Sequence, residues 1–187
     1  MYIKNSFFTL LLLFIMYVFF TGTSQGIEVN PTKEQIVEVI KYGEDNTGKI
    51  FKTKLVAPAT FGNWPSFGGG LVKSKLIHLA VISAMKMRAK KNITDEEVNE
   101  IMGTMDLTIS YRGGADVYKI KLRQGVNIIE PKEMVKPDLK GKDPTKHAIF
   151  IVASFPYSKL NPNAKTSIVV VKDFGTDKYE VDFSGIK

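Results

Sequence analysis

The second half of the chain alternates apolar and polar residues in short runs, and this alternation limits the possible folds more than any other feature. Residues 107–111, 118–122 and 179–183 alternate in this way, which is typical of strands with one buried face. Residues 147–155 and 166–174 are apolar on both faces, which predicts central strands. Short strands separated by turn residues predict a mainly β fold, an antiparallel two-layer β-sandwich of about seven or eight strands.

Turn signals suggest how these strands are connected. The two glycines within residues 113–116 predict a tight turn, so the strands on either side of it are expected to pair as an antiparallel hairpin. Residues 127–130 form a further short strand, and the lysine- and proline-rich residues 131–146 an exposed loop. Residues 161–163, Asn-Pro-Asn, make a turn between the two central strands.

Two or three helices are expected to flank the sandwich, so an α+β fold is also possible. Pro31 or Thr32 starts a helix through residue 42, and residues 49–57 are interpreted as a strand. Thr94 with Glu97 forms a capping box that opens a helix ending at Gly103.

The apolar run at residues 76–82 can be interpreted in two ways. Its β-branched, almost unbroken apolar sequence favours a strand buried on both faces and followed by a helix. A single helix over residues 71–91 is the competing interpretation, because periodicity alone does not separate the two.

Residues 1–26 have the composition of a secretory signal peptide. Lys4 supplies the positive charge near the N-terminus, and residues 7–20 form the apolar core. The small residues that follow are suited to cleavage before Ile27 or Gln25. The core is shorter than the roughly 20 residues of a spanning helix, so cleavage is favoured over an uncleaved membrane anchor.

The remaining residues, 27–187, are expected to form one domain. They include no cysteine, and a cysteine-free exported domain of this size suits a bacterial periplasm or the cell exterior. Contact with a membrane is expected only if the N-terminal segment stays uncleaved.

The chain is basic, with a formal net charge of +7 and one dense patch formed by Lys86, Arg88, Lys90 and Lys91. Such a patch can attract acidic polysaccharide or anionic lipid, but a solvated lysine-rich surface is the favoured interpretation. Only three arginines stand beside 23 lysines, and arginine is the residue that grips phosphate with two parallel hydrogen bonds. No nucleic-acid partner is therefore expected.

An unusual loop at residues 57–70 carries the main candidates for ligand binding. Phe61, Trp64 and Phe67 are interleaved there with glycines and prolines that oppose regular structure. Flat aromatic faces can stack on sugar rings or hold apolar groups. The alternative is that the three rings close the open end of the sandwich and belong to the core.

Catalytic motifs are missing from the sequence. The glycine triplet at residues 68–70 lacks the spacing of a phosphate-binding loop, and no zinc helix or nucleophile elbow is present. His78 lies in an apolar run, where a hydrogen-bonded core residue is the usual role, so no metal site or cofactor is expected.

The leading hypothesis is therefore an exported, non-enzymatic binding or scaffold domain at a bacterial cell envelope. Its partner would be an envelope protein, a polysaccharide or a lipid surface. A hydrolase of envelope polymers that uses His147 with an acid such as Asp143, or with a serine, is the second hypothesis. Candidate serines are Ser83, Ser154 and Ser158. A tethered protein with an uncleaved N-terminal anchor is the third.

Overall fold

The alternating segments form strands in the computed structural model, which describes residues 26–137 and 149–187. The nine strands found in these ranges are β1 (Thr60–Gly62), β2 (Gly69–Lys73), β3 (Asp106–Gly113), β4 (Val117–Gln124), β5 (Asn127–Ile129), β6 (Glu133–Val135), β7 (Ile149–Pro156), β8 (Lys165–Lys172) and β9 (Gly175–Asp182). They build two antiparallel sheets, ordered β1-β2-β3-β7-β6 and β5-β4-β8-β9. The predicted β-sandwich is confirmed, with slightly more strands than expected.

Alternate residues of the longer strands β3, β4, β7 and β8 fill much of the space between the two sheets. In the five-stranded sheet, Val72 lies opposite Ile109, and Ile109 lies opposite Ala153. In the four-stranded sheet, Ile120 pairs with Val170. All five side chains are fully buried, so the registers align the apolar faces of both sheets on one core.

Three helices belong to the described residues: α1 (Lys33–Asp45), α2 (Lys75–Arg88) and α3 (Asp95–Gly103). Thr32 caps α1 and Thr94 caps α3, each with a reciprocal bond from the third residue of its helix, as a capping box requires. The helices expected at both places are confirmed. None of the helices in the described ranges has the length and apolar character needed to span a membrane.

Two strand predictions before residue 90 are wrong. Residues 49–57 contain no strand, and short 3₁₀ turns cover Ile50–Lys52 and Ala57–Ala59. The apolar run at residues 76–82 is helical and lies within α2, so the competing interpretation is closer, although residues 71–73 belong to β2. Most of the first eleven residues of α2 are buried, so its apolar positions are not confined to one stripe.

The aromatic loop is more regular than its composition indicates. Residues 57–70 include β1 and the start of β2, which pair as a hairpin around residues 63–68. Gly69 permits this fold, because a Cβ atom there would overlap the backbone of Trp64.

The hairpin predicted around residues 113–116 is also wrong in its pairing. Both strands exist, but β3 pairs with β2 and β7, whereas β4 pairs with β5 and β8. The turn therefore carries the chain from one sheet to the other. By contrast, β7 and β8 each have a neighbour on both sides, which confirms them as internal strands.

The strand directions give the sandwich two different ends. The helices gather at one end, where β2 leads into α2 and α3 leads into β3. The turns at residues 63–68, 113–116 and 173–174 lie at the other end. The predicted signal segment, except Gly26, and most of the predicted 131–146 loop lie outside the described residues, although β6 occupies part of that loop.

Candidate functional site

Three exposed phenylalanines mark the turn end of the sandwich, and we call Phe67, Phe150 and Phe174 the aromatic end. Phe67 lies on the β1–β2 turn, Phe150 at the start of β7 and Phe174 on the β8–β9 turn. Their exposed fractions are 54%, 51% and 100%, which is unusual for phenylalanine.

Backbone hydrogen bonds hold the turns of the aromatic end together. The Gly68 N–H donates to the Arg112 carbonyl oxygen at 2.8 Å, which joins the β1–β2 turn to β3. The Asp173 N–H donates to the Asp116 carbonyl oxygen at 3.1 Å, which joins the β8–β9 turn to the crossing between the sheets. The exposed rings are thus mounted on a fixed frame rather than on independent loops.

The Arg112 side chain binds the β1–β2 turn through a hydrogen bond. Its Nη1 donates to the Pro65 carbonyl oxygen at 2.9 Å, and its guanidinium lies 5.7 Å from the centre of the Phe150 ring. That geometry is a cation–π contact, so one side chain connects the turn to an exposed ring.

The Trp64 ring is half-buried beneath this turn. It packs edge-on against Phe51 at 5.5 Å and against Phe150 at 6.1 Å between ring centres. Its indole N–H is buried and, like Nε of Arg112, has no hydrogen-bond acceptor in the part of the chain that the structure describes. Trp64 therefore supports the exposed Phe150 from below.

Phe61 lies deeper than the other residues of the predicted site. Its ring stacks on Tyr111 at 6.3 Å and contacts Tyr179 at 5.1 Å, and only 5% of the residue is exposed. The three predicted residues are thus separated by depth, with Phe61 in the core, Trp64 half-buried and Phe67 on the surface.

Tyr179 connects the two sheets at this end. Its hydroxyl donates to the Gly68 carbonyl oxygen at 3.0 Å and also lies 3.4 Å from Oδ2 of Asp177. The Asp177 carboxylate in turn pairs with the Lys172 ammonium at 2.5 Å. Burial raises the pKa of Tyr179 and that of Tyr111, so both hydroxyls stay protonated and keep their donors.

The predicted basic patch lies on a different element, at the C-terminal end of α2. Lys86 forms an ion pair with Glu97 of α3, whereas Arg88, Lys90 and Lys91 are exposed. Positive charge at the C-terminal end of a helix is stabilised by the helix dipole. The geometry thus gives these cations a structural explanation, and binding of an anionic partner stays a prediction.

The described residues also place most of the catalytic candidates. Ser83 is buried within α2, Ser154 lies on β7 and Ser158 is exposed on a 3₁₀ turn. His147 and Asp143 lie outside the described residues. No group of three potential metal ligands occurs in the described ranges, and the hydrolase hypothesis stays untested.

Two members of the aromatic end were missed by sequence reasoning. Phe150 and Phe174 fall in segments predicted as strands with two apolar faces, which suggests burial. Exposure of Phe174 could have been predicted from its position between Asp173 and Gly175. These two residues indicate a turn, and turns lie on the protein surface, away from the core. For Phe150 the sequence offers no comparable signal.

Comparison with known proteins adds no relative: no family model, no curated protein and no solved structure matches this chain.

Proposed function

We propose that this chain is an exported, non-enzymatic binding domain of a bacterial cell envelope, and that it contacts its partner through the aromatic end. The exposure of Phe67, Phe150 and Phe174 at one end of the sandwich is the observation that supports this proposal. Single exposed apolar side chains are ordinary on protein surfaces, whereas three exposed aromatic rings at one end of a domain favour an interaction site.

The frame beneath the rings favours binding. The hydrogen bonds from Gly68 to Arg112 and from Asp173 to Asp116 fix the turns before a partner arrives. A surface that is already ordered loses less conformational entropy on association. Aromatic side chains, phenylalanine among them, are also enriched at the cores of protein interfaces.

Export is proposed from the composition of residues 1–26. The mass of the intact protein isolated from its own cells tests it, because cleavage predicts a first residue at Ile27 or Gln25. A mass that retains the N-terminal segment would contradict cleavage and support the tethered alternative.

Site-specific photocrosslinking in living cells tests the binding surface. A photoreactive phenylalanine analogue is placed in the full-length chain at position 67 or 174, and, as matched controls, at Val37 or Val126. These control residues are 67% and 91% exposed and lie on α1 and on the β4–β5 turn, away from the aromatic end.

We expect one reproducible adduct from positions 67 and 174 and none of that kind from the controls. Sensitivity to protease, to polysaccharide hydrolases or to lipid extraction then assigns the partner to protein, polysaccharide or lipid. No adduct, or the same adducts from all four positions, would refute the aromatic end as the contact surface.

A further inference from the structure

The helical end of the sandwich contains a pocket that the aromatic end does not involve. Its volume is about 430 Å³, which lies within the range of small-molecule sites. It opens between α1, the segment before the second 3₁₀ turn, the start of α2 and the residues after β9. The lining residues are Gln35, Glu38, Val39, Tyr42, Lys54, Leu55, Leu76, Gly185 and Lys187.

The floor of this pocket is apolar. Val39 and Leu76 are 5% and 4% exposed, and Tyr42 and Leu55 are half-buried beside them. The chain is anchored nearby, because Ile186 is buried and the Ser74 hydroxyl donates to the Lys187 carbonyl oxygen. A ligand with an apolar body would displace water from this floor, and the binding free energy would become more favourable by roughly 25 cal/mol for each Å² of apolar surface covered.

The rim of the pocket carries opposite charges on different elements. Glu38 contributes a carboxylate from α1, and Lys54 contributes an ammonium from the segment before the second 3₁₀ turn. Lys187, after β9, is the second lysine of the lining. Neither Glu38 nor Lys54 forms an ion pair or side-chain hydrogen bond with any other residue in the two described ranges. Both charges are thus available to a ligand, and a ligand that pairs with both must carry a cation and an anion.

We infer that this pocket binds a small apolar zwitterion, of the class of a dipeptide with apolar side chains. The free ammonium of the ligand would pair with Glu38 and its carboxylate with Lys54, while its side chains cover Val39 and Leu76. This inference does not rest on the proposed function, because it uses no residue of the aromatic end.

Isothermal titration of the full chain with leucyl-phenylalanine tests the inference. We expect one saturable site with a dissociation constant below about 1 mM. Two capped probes accompany it: the N-acetylated peptide lacks the ammonium, and the peptide amide lacks the carboxylate. Each capped probe is expected to bind about five-fold more weakly, as loss of one exposed ion pair implies.

Two variants on the rim make the test specific. Glu38→Gln should weaken binding of the free dipeptide about five-fold and leave binding of the N-acetylated peptide unchanged. Lys54→Gln should likewise weaken binding of the free dipeptide about five-fold and leave binding of the peptide amide unchanged. Glu34→Gln and Lys52→Gln are the matched controls, because each lies on the same segment as its counterpart but outside the pocket lining. Phe174→Ser should not change the affinity.

The inference is overturned if the dipeptide shows no saturable binding. It is equally overturned if the rim variants and their controls weaken binding alike, or if the capped peptides bind as tightly as the free one. Because Phe174→Ser leaves this pocket intact, failure here and failure of the crosslinking experiment are separate results.

Discussion

At the scale of single residues, the surroundings of His78 show how the fold changes a side chain's chemistry. Burial on α2 and, as the smaller cause, the nearby ammonium of Lys73 together lower the pKa of this imidazole to about 4. No metal or catalytic role is needed to explain the shift. The residue contributes instead to the pH dependence of stability.

We expect the free energy of unfolding to decrease as pH falls from about 6.5 to about 4. In that window the unfolded chain protonates His78 and the folded chain does not, so protons favour unfolding by at most about 3 kcal/mol. Urea unfolding of the wild type and of His78→Gln, measured between pH 7.5 and 4.5, tests this. The variant should show a flatter dependence.

Lys73→Met provides the matched control for this effect. Removing the neighbouring charge should reduce the slope without abolishing it, since burial is the larger cause of the low pKa. Identical slopes in the wild type and in His78→Gln would contradict the argument.

The three predicted aromatic residues show where residue-level reasoning ends. A segment rich in glycine and proline has no period that assigns one face to the core. Phe61 reaches the core because it lies on β1 opposite Gly70, whose missing side chain leaves room for the ring. That partner is set by the β1–β2 register, which local composition does not determine.

At the scale of elements, α2 explains the wrong strand prediction. A helix buried on most sides has few polar positions, so its sequence resembles a strand with two apolar faces. The capping residues were more informative, because Thr32 and Thr94 act locally and their bonds need no tertiary partner. Strand pairing is the opposite case, and β3 and β4 separated although the turn between them suggested a hairpin.

Close packing of α1 on α2 gives a prediction with an unusual sign. Replacement of glycine by alanine inside a helix usually stabilises by up to about 1 kcal/mol. At Gly43, however, the added Cβ atom would overlap the Ala80 carbonyl oxygen and lie 2.9 Å from Cβ of Ser83. We therefore expect Gly43→Ala to destabilise the protein by about 1–3 kcal/mol in urea unfolding.

Gly103 is the matched control for this substitution. It is the last residue of α3, and a Cβ atom added there has no neighbour within 4 Å among the described residues. Gly103→Ala should be neutral or slightly stabilising. If both substitutions change the free energy of unfolding equally, the close approach of α1 to α2 at Gly43 would be contradicted.

At the scale of the whole molecule, the sandwich separates two unlike surfaces. The three exposed phenylalanines of the aromatic end lie where the turns are, and the pocket beside Glu38 and Lys54 lies at the helical end. The sequence predicted the sandwich because alternation is repeated along the chain. Neither surface could be predicted in full, because each joins residues that are distant in sequence and meet only when the sheets pair.

The two sheets are joined at the turn end by Tyr179, which gives the last prediction. Its hydroxyl belongs to the four-stranded sheet and bonds to the Gly68 carbonyl oxygen at 3.0 Å, next to β2 of the five-stranded sheet. Tyr179→Phe removes this bond and leaves the Gly68 carbonyl oxygen, within the described residues, with the longer 3.4 Å bond from the Asn63 N–H. We therefore expect a loss of about 1 kcal/mol in the free energy of unfolding.

Tyr111→Phe is the matched control, because within residues 26–137 and 149–187 the Tyr111 hydroxyl makes only a 3.5 Å contact with that of Tyr179. It should cost about 0.5 kcal/mol or less, since a contact of that length is weak. If the sheets unfold as one unit, circular dichroism and the fluorescence of Trp64 should report the same midpoint in all three proteins. Equal losses of unfolding free energy in the two variants would contradict the connecting role of Tyr179. A Trp64 fluorescence transition that precedes the loss of the circular dichroism signal would show that the turn end unfolds separately from the sheets.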